Sequence, residues 1–181
     1  MKSAFLLTAL ALATVVGQAQ DVKPGVQFTL SFPQGDLADF VDDAPGVGIG
    51  GHLFIDMKGG HALVPRIDYT AYRKDYYDGE GRFSTLSFGL DYNYFLERRA
   101  NRGLYLAAGA AITRGKVEWR DHYDAYYDVS YNDTALGFSF GGGYRFNPNI
   151  GVELKYNTVS FDKYGYSVDA PSLNASLVCR F

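Results

Sequence analysis

The chain has 181 residues, room for one domain, and its 47% apolar share is ordinary for a folded protein. Its 15 Tyr, 13 Phe and 21 Gly, against two Met and one Trp, favour strands and turns over helices. A formal net charge of −3 points away from a nucleic-acid surface, and a single cysteine, Cys179, leaves no internal disulfide.

The N-terminus reads as an export signal. Lys2 gives a positive start, residues 4–16 form an uncharged, mostly apolar run, and Gly17 and Ala19 place small residues around a cleavage point. The run is shorter than the roughly 20 apolar residues a spanning helix needs. Cleavage is expected after Ala19, giving a signal peptide over 1–19 and a mature domain over 20–181. No cysteine lies near that point to carry a lipid anchor. No later stretch suits a transmembrane helix, so any membrane association of the mature chain must come from strands.

Period-two alternation then dominates. The first run has Val26, Phe28, Leu30 and Phe32 on one face. The second has Val47, Ile49, Leu53, Ile55 and Met57 opposite Gly46, Gly48, Gly50, His52 and Asp56. The third sets Leu63, Ile67, Tyr69 and Ala71 against Arg66, Asp68 and Thr70, with Pro65 expected among the strand's first residues, where a missing donor costs least. The fourth sets Leu86, Phe88, Leu90, Tyr92 and Tyr94 against Ser87, Gly89, Asp91 and Asn93. The fifth sets Leu104, Leu106, Ala108, Ala110 and Ile112 against Tyr105, Ala107, Gly109, Ala111 and Thr113. The sixth sets Leu136, Phe138, Phe140, Tyr144 and Phe146 against Gly137, Ser139, Gly141, Gly143 and Arg145. The seventh sets Ile150, Val152, Leu154 and Tyr156 against Gly151, Glu153, Lys155 and Asn157. The last sets Leu173, Ala175, Leu177, Cys179 and Phe181 against Asn174, Ser176 and Arg180.

Eight runs of about ten residues suit tilted strands that cross a bilayer. Their connections alternate between short (58–60, 97–102, 147–149) and long (33–45, 74–81, 116–132, 162–171), the asymmetry of outer-membrane barrels with periplasmic turns and extracellular loops. Alternation alone also fits a soluble barrel turned inside out. Three features place the apolar face outward. The polar face is crowded with small residues. It carries balanced charges, Asp56, Asp68, Asp91 and Glu153 against Arg66, Arg145, Lys155 and Arg180. Tyr69, Tyr94, Phe95, Tyr144, Phe146 and Tyr156 near strand ends read as interfacial girdles. Lipid cannot satisfy free backbone groups, so the sheet must close. The expected fold is therefore an all-β, eight-stranded, antiparallel up-and-down transmembrane barrel with a packed polar interior.

The stretches 103–111 (GLYLAAGAA), 137–146 (GFSFGGGYRF) and 152–156 (VELKY), with the closing strand to Phe181, carry a resemblance over the whole mature chain. The chain resembles the small outer-membrane β-barrel superfamily that includes the OmpA transmembrane domain and OmpX. That resemblance implies a bacterial outer-membrane location among lipid and lipopolysaccharide. It also implies that Phe181, Cys179 and Leu177 form the C-terminal signal read by the barrel-insertion machinery. Cys179 departs from the usual aromatic or Leu at its step. The superfamily is functionally mixed, so no activity follows from it.

No catalytic, cofactor or metal site emerges. His52, His61 and His122 share no ligand spacing. The His-x-Ser-Asn arrangement of lipid A deacylases is absent. The interior set Arg66, Asp68, Asp91, Arg145, Glu153, Lys155 and Arg180 is expected to form a network that plugs the barrel, with a gate that opens by re-pairing as the alternative. Residues 33–45 form an acidic loop with Asp36, Asp39, Asp42 and Asp43. The loop over 116–132 is expected to continue the fifth and sixth strands as a protruding hairpin. Its Trp119, Tyr123, Tyr126, Tyr127 and Tyr131 are candidates for binding an extracellular protein or glycan, or for contact with lipopolysaccharide sugars. The expected role of this monomer is structural or surface-binding, adhesion-like. A narrow channel or carrier for small solutes and a lipid-modifying enzyme are the alternatives.

Overall fold

The computed structural model describes residues 21–75, 79–97, 102–121, 129–163 and 166–181. Nine strands and one helix follow in chain order. They are β1 (Asp21–Pro33), α1 (Gly35–Val41), β2 (Gly46–Asp56), β3 (His61–Asp75), β4 (Gly79–Phe95) and β5 (Gly103–Asp121), then β6 (Val129–Arg145), β7 (Ile150–Lys163), β8 (Tyr166–Asp169) and β9 (Ser172–Arg180). Each of β1 to β7 pairs antiparallel with the next, β7 pairs with β9, and β9 pairs with β1, so eight strands close on themselves. The remaining strand, β8, folds back on the outer part of β7.

The alternation sets the side-chain directions. Along β5, Leu104 and Ile112 are 54% and 59% exposed, while Tyr105 between them is 2% exposed. The outward series of the other strands behaves alike, with Phe28, Val47, Ile67, Phe88, Phe140 and Leu154 all exposed, except that Ile55, expected on the outward face of β2, is 1% exposed beside the break in β2–β3 pairing. A row of large apolar side chains facing out all round suits hydrocarbon, and closure leaves no barrel edge to satisfy there. Among the described residues no helix is long and apolar enough to cross a membrane.

The structure corrects the sequence-based picture at several further points. Pro65 sits inside β3 instead of at its start, and the β2–β3 register breaks there, between His52↔Arg66 and Ile55↔Leu63. A proline supplies no ladder donor, so the pairing is interrupted where it stands. The run expected as a loop over 162–171 is largely a hairpin of β7 with β8. The acidic loop over 33–45 contains α1. Phe95 does not join an outer girdle: it is fully buried inside the barrel.

Helix α1 spans seven residues and has no side-chain N-cap. A helix this short does not persist in water alone. It is held by packing: Leu37 and Val41 are buried against Tyr72, Phe83, Phe161 and Ala170 in the long-loop mouth of the barrel. Polar ties hold its two ends, with the Asp169 amide donating to Asp36 Oδ2 at 3.0 Å and Lys74 Nζ meeting Asp42 Oδ2 at 2.6 Å. Asp42 and Asp43 follow it with φ of 52° and 59°, turning the chain back into β2.

Candidate functional site

The lumen is filled in layers. At the short-turn end Phe54, Ala62, Val64, Phe95, Tyr105 and Ala107 form an apolar cluster. Phe54 and Phe95 meet edge to face, and Phe95 lies beside Tyr105. The middle of the lumen thus lies between this apolar cluster, beside which Arg145 and Arg180 are buried, and the apolar cluster under α1 at the mouth.

Above the inner plug lies a charged layer. Arg66 Nε donates to Asp68 Oδ2 at 2.8 Å, and its Nη1 reaches Asp91 and, at 3.2 Å, Glu153 Oε1. Arg66 Nη2 donates to Gln27 Oε1, and Gln27 Nε2 donates to Asp68 Oδ1 at 2.7 Å. Lys155 Nζ lies 2.6 Å from Asp91 Oδ2 and 3.6 Å from Glu153 Oε1. The Tyr105 hydroxyl donates to Glu153 Oε2 at 3.0 Å. Buried charges persist only when paired and hydrogen-bonded, and here every one of the five is. Glycines on neighbouring strands make the room: a Cβ at Gly50 would overlap the Asp68 carboxylate, and one at Gly143 would meet the Tyr105 hydroxyl.

Arg145 and Arg180 stand apart from this layer. The register pairs Glu153 with Gly143 and Arg145 with Gly151, so Arg145 lies two residues nearer the short turns, about 7 Å along the strand. Both guanidinium groups face the Phe54 ring, 5.5 Å and 3.4 Å from its centroid. Arg145 Nη1 caps the Pro148 carbonyl at 3.0 Å. Neither arginine forms an ion pair with a carboxylate among the described residues, and Arg145 Nε and Nη2 and Arg180 Nε have no hydrogen-bond partner.

Between the charged layer and α1 lies a polar layer. Thr29 bonds Ser176 at 2.8 Å, Ser87 bonds Thr113 at 2.9 Å, and Ser31 bonds both Tyr72 and Asn174. These residues surround a cavity of about 80 Å³. One water needs roughly 10–15 Å³ of such space, so the cavity has room for a handful. Asn157 Oδ1, buried at its wall without a protein partner, is a natural acceptor for one of them. This chamber and both apolar plugs were not anticipated from the sequence, although strand parity already turned Phe54, Val64, Phe83 and Phe95 inward.

Outside the lumen, the fifth and sixth strands do run on as a hairpin, paired from Gly103↔Arg145 to Trp119↔Val129. The backbones of Trp119 and Tyr131 lie in it. Tyr123, Tyr126 and Tyr127 lie outside the described residues. At the other end Leu177, Cys179 and Phe181 share the outward face of the closing strand, and the Phe181 amide donates to Pro24 O at 2.9 Å.

The described residues present no acid, histidine and nucleophile constellation around the histidines. Neither ring nitrogen of His52 has a partner, and His61 Nδ1 pairs only with the Tyr92 hydroxyl. No group of three or more His, Cys, Asp or Glu suited to a metal occurs among the described residues.

No curated protein matches the chain in sequence. Solved structures match its fold. The Yersinia pestis attachment invasion locus protein Ail, in complex with the heparin analogue sucrose octasulfate, superposes with a TM-score of 0.62 at 15% identity, over 88% of this chain and 97% of that one. Neisserial surface protein A gives 0.61 at 14% identity over the same shares. The N-terminal β-barrel domain of Pseudomonas aeruginosa OprF gives 0.52 at 15% identity, over 91% of this chain and all of that one. At such identities the likeness concerns the fold. The family of the outer membrane protein beta-barrel domain, by contrast, matches residues 3–181. The closed barrel with its apolar exterior agrees with that match, and the chain belongs to this family of bacterial outer-membrane proteins.

Proposed function

We propose that this barrel is a surface-recognition protein, its membrane body an anchor and the outer extension of β4, β5 and β6 its binding element. One observation carries the reading. Pairing of β6 with β7 ends at Gly137↔Val159, while pairing with β5 continues to Trp119↔Val129. Residues 129–136 of β6 therefore have a strand on one side only among the described residues. Such an edge offers a row of backbone donors and acceptors to an extended segment of a partner. Nine residues of β5 beyond Ile112 extend this sheet by about 30 Å along the strand direction.

The rival readings have less beneath them. A channel needs a lumen that the two plugs and the charged layer fill. A lipid-modifying enzyme needs convergent groups that the described histidines do not supply. The Ail structure holds a heparin analogue, which makes a sulfated glycan the second ligand class to try beside an extended protein segment. We take residues 1–19 as the export signal, so the inserted form is expected to begin at Gln20.

The test compares the intact chain, displayed on cells, with a chain in which residues 113–135 are replaced by an Asn-Gly turn, which removes the free edge of β6. Binding to extracellular matrix proteins and to heparin is measured on both. Loss of binding on truncation supports the reading. Equal binding by both chains, or stable ion conductance by the intact barrel in a planar bilayer, overturns it.

A further inference from the structure

Among the described residues, six of the seven buried side-chain nitrogen and oxygen atoms without a hydrogen-bond partner lie toward the short-turn end of the lumen. They are Arg145 Nε and Nη2, Arg180 Nε, both ring nitrogens of His52, and Asn93 Oδ1. The strand register gathers the cations. Arg180 stands opposite Gly25, and Gly25 stands opposite His52. Gly25 carries no side chain, and a Cβ there would overlap the His52 ring. Arg180 and His52 thus approach each other across bare backbone on β1. Arg145 reaches in from β6, on the wall opposite β2. Its guanidinium and that of Arg180 lie 5.5 Å and 3.4 Å from the centroid of the Phe54 ring. The two charges are therefore separated by no more than the sum of those distances, and the residues are 0% and 3% exposed.

The carboxylates of this half of the lumen are committed elsewhere. Glu153 is held by Arg66, Lys155 and the Tyr105 hydroxyl, and Asp56 accepts the Lys58 amide at 2.8 Å. Two buried like charges without a counter-charge are costly, and the Phe54 ring offsets that cost only in part. Water pairs with free N–H groups but brings no charge, whereas an anion does both. The free atoms also specify the anion's shape. Arg145 Nη1 is taken by the Pro148 carbonyl at 3.0 Å, which leaves Nε and Nη2. Those two N–H groups point the same way and form the side-on fork that matches two oxygens of one carboxylate or phosphate. Arg180 Nε and the ring N–H of His52 are further donors without an acceptor.

We infer that Arg145 and Arg180, with His52 beside them, bind a small free oxyanion, a phosphate or a carboxylate, at the periplasmic end of the lumen. The Arg145 fork grips it side-on and Arg180 supplies the second positive charge. Lipid headgroups are excluded as its source, because both arginines lie inside the ring of strands. The bound anion would tie the 147–149 turn to the closing strand. Arg145 already caps that turn, and Arg180 already exchanges bonds with Asn149, its amide donating to Asn149 O at 2.7 Å and its carbonyl accepting Asn149 Nδ2 at 2.9 Å. Barrel stability would thereby respond to oxyanions of the periplasm. The site is at the opposite end from the β6 edge and stands or falls independently of it.

The experiment uses mature chain refolded from urea into detergent micelles, with chloride holding ionic strength constant in every buffer. Equilibrium dialysis with radiolabelled phosphate, and separately with radiolabelled acetate, counts probe bound per barrel. Saturable binding of one phosphate or one acetate per barrel is expected. Arg145→Gln and Arg180→Gln should each weaken it at least about tenfold. Arg145→Lys keeps the charge and loses the fork, and should also weaken it about tenfold. Arg114→Gln, which removes an exposed cation of β5, should change nothing. The urea midpoint of the intact chain should rise with phosphate, and that of Arg180→Gln should not. Each variant's folding is checked by its heat-modifiable gel mobility. Should a Gln variant not fold, Arg145→Lys and the intact chain still report. Three results overturn the assignment: no saturable binding of either probe by the intact chain, binding by the arginine variants equal to that of the intact chain, or a phosphate-induced rise in midpoint equal in all chains, as a general salt effect gives.

Discussion

Asp91 lies directly across the β4–β5 pair from Gly109, in the space that a side chain at position 109 would occupy. The glycine is thus part of the charged layer, since it lets the Asp91 carboxylate lie flat between Arg66 and Lys155. Gly109→Ala is expected to push Asp91 off both cations and leave three buried charges short of partners. Breaking a buried pair costs about 3–5 kcal/mol. Urea unfolding of the refolded barrel should show a loss of that order, whereas Ala108→Gly, on the lipid face of the same strand, should lose well under half of it. Equal losses would mean that the space beside Asp91 is not what Gly109 provides.

The charged layer holds two cations, Arg66 and Lys155, among three carboxylates, Asp68, Asp91 and Glu153. That count makes the two signs unequal in mutational cost. Lys155→Met leaves one guanidinium facing three carboxylates, and about 3–5 kcal/mol should be lost. Glu153→Gln leaves two charges of each sign and keeps an acceptor for the Tyr105 hydroxyl, so roughly 1 kcal/mol is expected. Denaturation midpoints of the two variants check the order. A Glu153→Gln loss equal to or larger than that of Lys155→Met would show that the layer is not organised around this imbalance.

Phe54 and Phe88 differ in face although both are strand phenylalanines. Phe54 is buried beneath the Arg180 guanidinium and against Phe95, while Phe88 is exposed to the lipid side. Phe54→Leu removes a cation–π contact and an aromatic pair in a packed site, which should cost about 1–2 kcal/mol. Phe88→Leu exchanges one apolar surface for another against hydrocarbon and should stay within ~0.5 kcal/mol. The same unfolding measurement separates them, and a reversed order would contradict the assigned faces.

The alternation made the barrel legible because a period of two assigns every residue of a strand to a face. Tyr105 and Leu104, adjacent in sequence, end up on opposite sides as that period requires. The same parity turned Phe95 inward beside Asn93, and grouping aromatics by their nearness to strand ends concealed it. Helix α1 was not legible for a different reason. Its apolar pair, Leu37 and Val41, spans one turn, too short a stretch to show a helical period among four aspartates. Its stability comes from Tyr72, Phe83 and Phe161, which reach it from three separate strands. The separation of Arg145 and Arg180 from the other charges was hidden likewise, because depth along the barrel depends on the stagger between strands and not on face.

Two apolar plugs in series imply that removing one admits water without opening a path. Leu37 and Val41 close the cavity that Thr113 lines, and Phe54 and Phe95 close the far end below the charged layer. In a Cys179→Ser background, Thr113→Cys places a reporter thiol in the chamber. With α1 intact, a charged thiol reagent added from the extracellular side should react slowly, since access requires local opening of the helix. Leu37→Asn with Val41→Asn should raise that rate at least about tenfold, because two buried apolar contacts that hold a marginal helix are lost. Conductance across a planar bilayer should stay at background in the same variant, since Arg66, Lys155 and their carboxylates still fill the section beneath. Fast labelling with α1 intact would show that the helix does not seal the mouth. Stable conductance in the lid variant would show that the charged layer and inner plug do not close the barrel by themselves.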